Sequence, residues 1–378
     1  MPSSPEPIFS DTDRRHMQAA LALAREGRFS TSPNPRVGCV IARGGQIVGQ
    51  GFHVRAGEPH AEVHALRQAG ELARGATAYV TLEPCSHHGR TPPCAEALVA
   101  AGVSRVVAAM SDPNPHVAGR GLALLAAAGI RTECGLLEAE ARELNRGFLS
   151  RIERGRPFVR LKCAASLDGK TALSDGRSQW ITNAAARADV QILRAESCAV
   201  LTGIGTVLAD DPLLTVRAFP AVRPPERVVL DSRLRLPQTA KLLADASAPV
   251  LILTGETDPA KHAAFARFPH VSLCTVPLLS DGLLDLNAAL AALAEQGIGE
   301  VLAEAGATLA GALLRADLVD EIVLYQAPKI LGTAARGLFE LPENPAALAA
   351  QAHWQTVSAD ILDGDVKWVL RRTEAVPA

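Results

Sequence analysis

The sequence predicts an α/β protein of two consecutive domains. Strands alternate with helices through both halves, the pattern of layered α/β architecture. At 378 residues the chain is long enough for two separate cores. A charged Gly/Pro stretch, Arg154-Gly155-Arg156-Pro157, divides a helix from the strand that restarts the alternation. The expected domains are therefore 1–153 and 154–378.

The first half opens with a helix from Asp13 to Glu26, carrying Met17, Ala20, Leu21 and Ala24 at helical spacing. STSPNPRVGCVIARGGQIVGQGFHV then reads as a loop, a strand, a Gly-Gly turn and a second strand. Pro59-His60 opens a helix whose apolar side holds Ala61, Val63, Ala65, Leu66 and Ala69. GATAYVTLEP reads as a strand, and AEALVAAG as a helix that starts near Cys94 and stops at Gly102. SRVVAAM is a strand, GRGLALLAAAGI a helix, RTECGLL a short strand, and EAEARELNRGFLSRIE one closing helix.

PFVRLKCAASLDGK begins the second half as a strand, followed by a helix from Ala184 to about Arg194. CAVLTGIG, RVVLD and APVLILTG are short strands ending in Gly or Asp. The run from Leu286 to Pro328 reads helix, strand, helix, strand. No repeat relates the two halves.

Composition excludes several function classes. With 38 basic and 40 acidic residues the formal charge is −2, which gives no support to a nucleic-acid-binding protein. No apolar run is long enough to span a bilayer, and the polar start lacks a signal pattern. Of seven cysteines, Cys39, Cys134, Cys163, Cys198 and Cys274 are scattered and expected to be reduced, as in a cytoplasmic protein.

The densest chemistry lies between His60 and Cys94. One imidazole (His60) and two thiolates (Cys85, Cys94) form the three-ligand set that a catalytic zinc keeps when its fourth position holds water. Glu62, two residues past His60, suits the non-ligating proton shuttle of zinc-dependent base deaminases. On a helix body His60 and Glu62 would not share a face; they converge only at a helix start that points at the metal. Cys94 follows Pro92-Pro93, so a second helix start, with its favourable dipole for a thiolate, meets the same point. Eight residues separate the cysteines, where deaminases acting on nucleic acids have two. A structural zinc site stays open, with His64, His87 or His88 as a fourth ligand, and so does a redox pair.

In the second half TGIGTVLADDP lacks the third glycine of a dinucleotide fingerprint, Leu208 standing in its place. VLAEAGATLAGALL places Gly306 to Gly311 at a strand-to-helix turn, where small residues let a phosphate approach backbone N–H groups. That turn, the GIGT turn and Ser166-Leu167-Asp168-Gly169 all fall at strand ends, where open α/β sheets bind ligands.

The whole pattern resembles the bifunctional riboflavin-biosynthesis family, a pyrimidine deaminase fused to a reductase. TSPNPRVGCVI, AGEPHAEVHAL and TLEPCSHHGRTPPC resemble its deaminase half; KCAASLDGKTA, SQWIT, TVLADDPLLTVR and AEAGATLAGALL resemble its reductase half. The resemblance implies a cytidine-deaminase-like α/β/α domain followed by a dihydrofolate-reductase-like α/β domain. It implies hydrolytic deamination of 2,5-diamino-6-ribosylamino-4(3H)-pyrimidinone 5′-phosphate, then NADPH-dependent reduction of the product's ribose to ribityl. One zinc per chain and NADPH are the expected cofactors, phosphorylated pyrimidines the expected partners, and a homo-oligomer the expected assembly.

The family's positions carry over residue by residue. Glu62 is catalytic, and His60, Cys85 and Cys94 hold zinc. Asn34, His53 and Arg90 match deaminase substrate positions, although a turn-capping Asn and a surface His would look the same. Ser178, Arg194, Leu214, Arg217 and Glu304 match reductase substrate positions, the two arginines suiting a 5′-phosphate. Ala164, Trp180, Thr206, Asp210 and Ser232 match nucleotide positions, as does the run Gly306, Ala307, Thr308, Leu309, Ala310 and Gly311.

Overall fold

The computed structural model describes residues 9–86, 93–115, 117–341 and 354–373. The chain divides into two compact units, Met1–Gly155 and Arg156–Ala378.

In the first unit α1 (Asp11–Glu26) is followed by β1 (Gly38–Arg43), β2 (Gln46–Phe52), α2 (Ala61–Ala69), β3 (Thr77–Val80) and α3 (Cys94–Ala101). Then come β4 (Arg105–Ala108), α4 (Arg120–Ala127), β5 (Arg131–Cys134), α5 (Glu138–Leu144) and α6 (Arg146–Arg154). Ser10 and Asp13 form a reciprocal capping box, so α1 starts two residues before the expected Asp13. The strands order as β2-β1-β3-β4-β5, antiparallel across β2, β1 and β3 and parallel from β3 to β5.

Alternation along the strands separates two cores. Cys39, Ile41, Ala78, Val80 and Val106 face Ala61, Ala65, Leu98 and Leu125 from α2, α3 and α4. Val40, Ala42, Tyr79 and Val107 face Met17, Ala20, Ala141 and Leu149 from α1, α5 and α6. The result is three layers, α/β/α. Gly49 lets α2 lie directly on β2, since a Cβ there would stand 2.2 Å from the Ala65 carbonyl oxygen.

The expected single helix over 138–153 is two. Asn145 interrupts it because its side chain is committed elsewhere: Oδ1 accepts the Arg36 N–H at 2.7 Å, and Nδ2 donates to the Arg36 carbonyl at 3.0 Å. A contact 109 positions away in sequence overrides local helix propensity.

The second unit begins with β6 (Phe158–Ser166), β7 (Lys170–Ala172), α7 (Ala184–Glu196), β8 (Ala199–Gly203), α8 (Ile204–Asp210), β9 (Glu226–Leu230), α9 (Lys241–Ala244) and β10 (Val250–Thr254). It continues through α10 (Pro259–Ala263), β11 (Val271–Thr275), α11 (Leu286–Glu295), β12 (Glu300–Glu304), α12 (Ala307–Arg315), β13 (Glu321–Ala327), β14 (Arg336–Gly337), β15 (Trp354–Leu362) and β16 (Asp365–Arg372). Nine strands form one sheet, β11-β10-β9-β8-β12-β6-β13-β16-β15, parallel as far as β13 and closed by the antiparallel β16 and β15. The helices α11 and α12 cover one face, packing Leu290, Leu293 and Leu313 on Val159, Leu161 and Leu201. On the other face, α7 packs Val190 and Leu193 on Leu302 and Val323. The GIGT turn expected after β8 is itself the first turn of α8. Among the described residues no helix is long and apolar enough to cross a membrane.

Candidate active sites

Three donor atoms converge where two helices start. His60 is the N-cap of α2, extended at φ −75° and ψ 167°, so Glu62 sits in the first turn with its side chain buried. Cys94 is the first residue of α3, after the N-cap Pro93. Cys85 lies beyond the end of β3, and its carbonyl oxygen accepts the Ala95 N–H at 3.1 Å. His60 Nδ1 is 3.3 Å from Cys94 Sγ and 3.6 Å from Cys85 Sγ, and all three donor atoms lie within 4.8 Å of one another.

This donor set fits zinc. Bonds of about 2.0–2.3 Å at tetrahedral angles place ligand atoms roughly 3.3–3.8 Å apart. The Cys94 thiol hydrogen-bonds Cys85 and holds the Cys85 thiol down to about 4, while Cys94 is pushed far up by the same contact and by burial. The two thiols thus share a proton between them. A divalent cation would take both as thiolates and release that proton. His64, a possible fourth ligand from the sequence, is not in this group; His87 and His88 lie outside the described residues.

Glu62 is 3 % exposed, and burial pushes its carboxyl up to about 7. Its Oε2 is buried without a hydrogen-bond partner among the described residues. A carboxyl poised near neutrality beside three metal-ligand atoms suits a group that both takes and gives a proton.

Asn34 and His53 come together beside His60. His53 Nδ1 is 3.2 Å from the Pro59 carbonyl, which can only accept, so Nδ1 carries the ring proton. Burial lowers the pKa of His53 and keeps the ring neutral. Nε2 must then accept, and Asn34 Nδ2 donates to it at 3.1 Å. The Asn34 amide is thereby oriented with its nitrogen toward His53 and its carbonyl oxygen turned away from that ring. Arg90 lies outside the described residues.

The second unit holds a cavity of about 1490 Å³. Ala164, Ser178, Trp180, Arg194, Thr206, Asp210, Leu214, Ser232 and Glu304 line it, with Gly306, Ala307, Thr308 and Leu309. Ala310 and Gly311 do not line it. Ala310 is buried in the core, and Gly311 makes room for backbone, since a Cβ would stand 2.2 Å from the Glu340 carbonyl oxygen. Arg217 is exposed and outside the lining, near enough that its charge acts on Glu304.

Arg194, expected at a substrate position, lines the cavity and is bonded within the protein. Its Nε and one terminal nitrogen bond both oxygens of Glu304, at 2.5 and 2.9 Å, and the other bonds the Thr215 carbonyl at 2.9 Å. Three of its five N–H donors are thus committed within the protein. Burial alone would raise the Glu304 carboxyl, but Arg194 outweighs it and holds Glu304 ionised, with Lys162 and Arg217 adding to the effect. Trp180 is 63 % exposed, with the Arg187 guanidinium 4.5 Å above its ring. Sequence reading missed Lys162, Arg187 and Arg235, which also line the cavity. The one signal present was the basic pair in Asp231-Ser232-Arg233-Leu234-Arg235.

Residues 10–110 match the model of the cytidine and deoxycytidylate deaminase zinc-binding region, and 157–363 match the RibD C-terminal domain. The riboflavin biosynthesis protein RibD of Escherichia coli is 54 % identical over 343 residues, covering 87 % of this chain and 91 % of its own. That of Haemophilus influenzae is 48 % identical over 372 residues, covering 95 % and 97 %. The Acinetobacter baumannii RibD structure superposes with a TM-score of 0.87 at 47 % identity, covering 96 % of this chain and 99 % of its own. A Thermotoga maritima diaminohydroxyphosphoribosylaminopyrimidine deaminase/5-amino-6-(5-phosphoribosylamino)uracil reductase gives 0.83 at 34 %, with the same coverage. A zinc-binding deaminase region followed by a RibD reductase domain, on a chain similar to these relatives from end to end, places this protein in the RibD family of bifunctional riboflavin-biosynthesis enzymes.

Proposed function

We propose that residues 1–153 deaminate 2,5-diamino-6-ribosylamino-4(3H)-pyrimidinone 5′-phosphate and that residues 154–378 reduce the ribose of the deaminated product with NADPH. The observation that carries the first half is the convergence of His60, Cys85 and Cys94 beside the buried Glu62. Those three side chains would hold zinc, which when bound lowers the pKa of a water into the neutral range. Glu62 takes the proton of that water and returns it to the departing amino group. The Asn34 carbonyl accepts from an N–H of the substrate and orients it, and Arg90 is assigned to the phosphate.

In the second half NADPH would lie along the cavity, supplying hydride to C1 of the ribose in its ring-opened imine form, whose nitrogen takes up a proton. The N–H groups at the start of α12, where Gly306 is the N-cap, suit its pyrophosphate. The Trp180 face suits a flat ring. Ser232 and Arg235 stand together in the lining and suit the 2′-phosphate that separates NADPH from NADH. Glu304, held in place by Arg194, is assigned to the substrate's ribose, and Arg217 to its 5′-phosphate. All seven cysteines are free, which fits a cytoplasmic enzyme.

Purified protein incubated with the diamino-pyrimidinone phosphate should release ammonia without NADPH. It should oxidise NADPH, but not NADH at comparable kcat/KM, only after that release. No ammonia without NADPH would overturn the deaminase reading, and oxidation independent of deamination would overturn the order.

A further inference from the structure

Cys85 has no strand ladder to hold it. The last residue of β3 is Val80, and Pro84 offers no N–H. What fixes the approach to Cys85 is Glu83, a carboxylate only 4 % exposed. One of its oxygens accepts the N–H groups of Asp112 at 3.1 Å and Gly119 at 2.9 Å; the other accepts those of Gly121 at 2.8 Å and Leu122 at 3.3 Å. Its charge thus sits on the opening turn of α4, where unpaired N–H groups and the helix dipole favour an anion. The Glu83 N–H donates to the Met110 carbonyl at 2.9 Å. Gly121 admits the same segment closely: a Cβ there would stand 1.9 Å from the Pro84 carbonyl oxygen. Four N–H donors on two oxygens leave the carboxylate no freedom to turn.

Glu83 touches none of the three donor atoms. Cys85 is instead suspended between two fixed points, Glu83 on the 112–122 segment and the α3 start that bonds the Cys85 carbonyl. We propose that Glu83 is a positioning residue, whose fourfold backbone bonding holds Cys85 at the distance from His60 and Cys94 that zinc needs. This rests on the zinc reading given above. A glutamine at 83 keeps one acceptor oxygen but turns an NH2 group against two of the N–H donors, so the segment must shift and carry Cys85 with it.

The test is zinc affinity of the full chain by competition with a chromogenic chelator, compared among wild type, Glu83→Gln, Glu83→Asp and Asp13→Asn. Asp13 is a buried carboxylate of the same unit, bonded to Arg105 and Tyr79 with no contact to the cysteines. Its variant therefore reports general destabilisation. Loss of an outer group that orients a ligand commonly weakens metal binding about 10–100-fold. Both Glu83 variants should bind zinc at least about tenfold more weakly, Asp13→Asn within twofold of wild type. Saturating zinc should bring deamination by the Glu83 variants back toward the wild-type rate, since no reacting group has been removed. Should Glu83→Gln fail to fold, Glu83→Asp keeps the charge and carries the test. Zinc affinity unchanged in a folded Glu83 variant, or equally weakened in Asp13→Asn, would overturn the positioning role. Wild type that binds no zinc would sink the underlying reading instead.

Discussion

Glu62→Gln separates the metal from the proton shuttle. The three donor atoms are untouched, so zinc should stay at one per chain. Deamination should fall by about 10²–10⁴, the usual contribution of a positioned acid–base group, or further because one carboxyl serves both proton transfers. The structure adds a second, opposite effect. Burial raises Glu62 from 4.5 to about 7, so the zinc-free fold is penalised as pH climbs through that interval, fully above about 7 and not at all below 4.5. At about 1.4 kcal/mol per pH unit this amounts to about 3 kcal/mol. Glutamine carries no such penalty. Any fixed cost of its buried amide cancels when one variant is compared at two pH values. In chelator-treated protein, Glu62→Gln should therefore gain roughly 2–3 kcal/mol on wild type between pH 5 and pH 8, read by denaturant unfolding. Reduction of supplied deaminated substrate should be nearly unchanged. Loss of zinc, deamination within a few-fold of wild type, or a pH-independent stability difference would refute the reasoning.

Three further outcomes are expected. His53→Gln, which can still donate to the Pro59 carbonyl and accept from Asn34, should retain much of the deaminase kcat/KM, whereas His53→Leu should lose about tenfold or more; ¹⁵N NMR of labelled histidine should find His53 protonated on Nδ1, and a proton on Nε2 would contradict the assigned hydrogen-bond order. Arg194→Ala leaves Glu304 buried and uncompensated, so unfolding should become about 3–5 kcal/mol easier and reduction should be lost while deamination persists; a stable, active reductase would show that Arg194 does not hold Glu304. For Asp13, burial pulls the carboxyl upward but Arg105, Tyr79 and Ser10 outweigh it and hold it well below the ordinary range. The stability it contributes is present above the unfolded value near 4 and is lost as pH falls from there toward the much lower folded-state value, so the gap between wild type and Asp13→Asn in denaturant unfolding should hold steady above about pH 5 and narrow from about pH 4 downward.

Much of this protein is legible without coordinates because its information is local. Periodicity marks the α/β alternation, and a Pro-opened helix start explains how His60 and Glu62 can act together although they are two residues apart. The same logic points to Cys94 at the head of α3. The nucleotide turn at Gly306 likewise needs only small residues after a strand. What only the tertiary structure decided involves side chains that meet across long separations or compete for a single group. Arg194 meets Glu304 from 110 positions away, and that pairing keeps a buried carboxylate ionised. Asn145 breaks a helix that its own sequence favours, because Arg36 claims its amide. His53 has a defined tautomer only because the Pro59 carbonyl is within reach, and that tautomer sets which end of Asn34 faces its ring. Glu83 reads as an ordinary strand-end acid until four backbone N–H groups from the 112–122 segment close around it. Hydrogen bonds and desolvation depend on which atoms arrive within about 3 Å, and no spacing rule in a linear sequence carries that information.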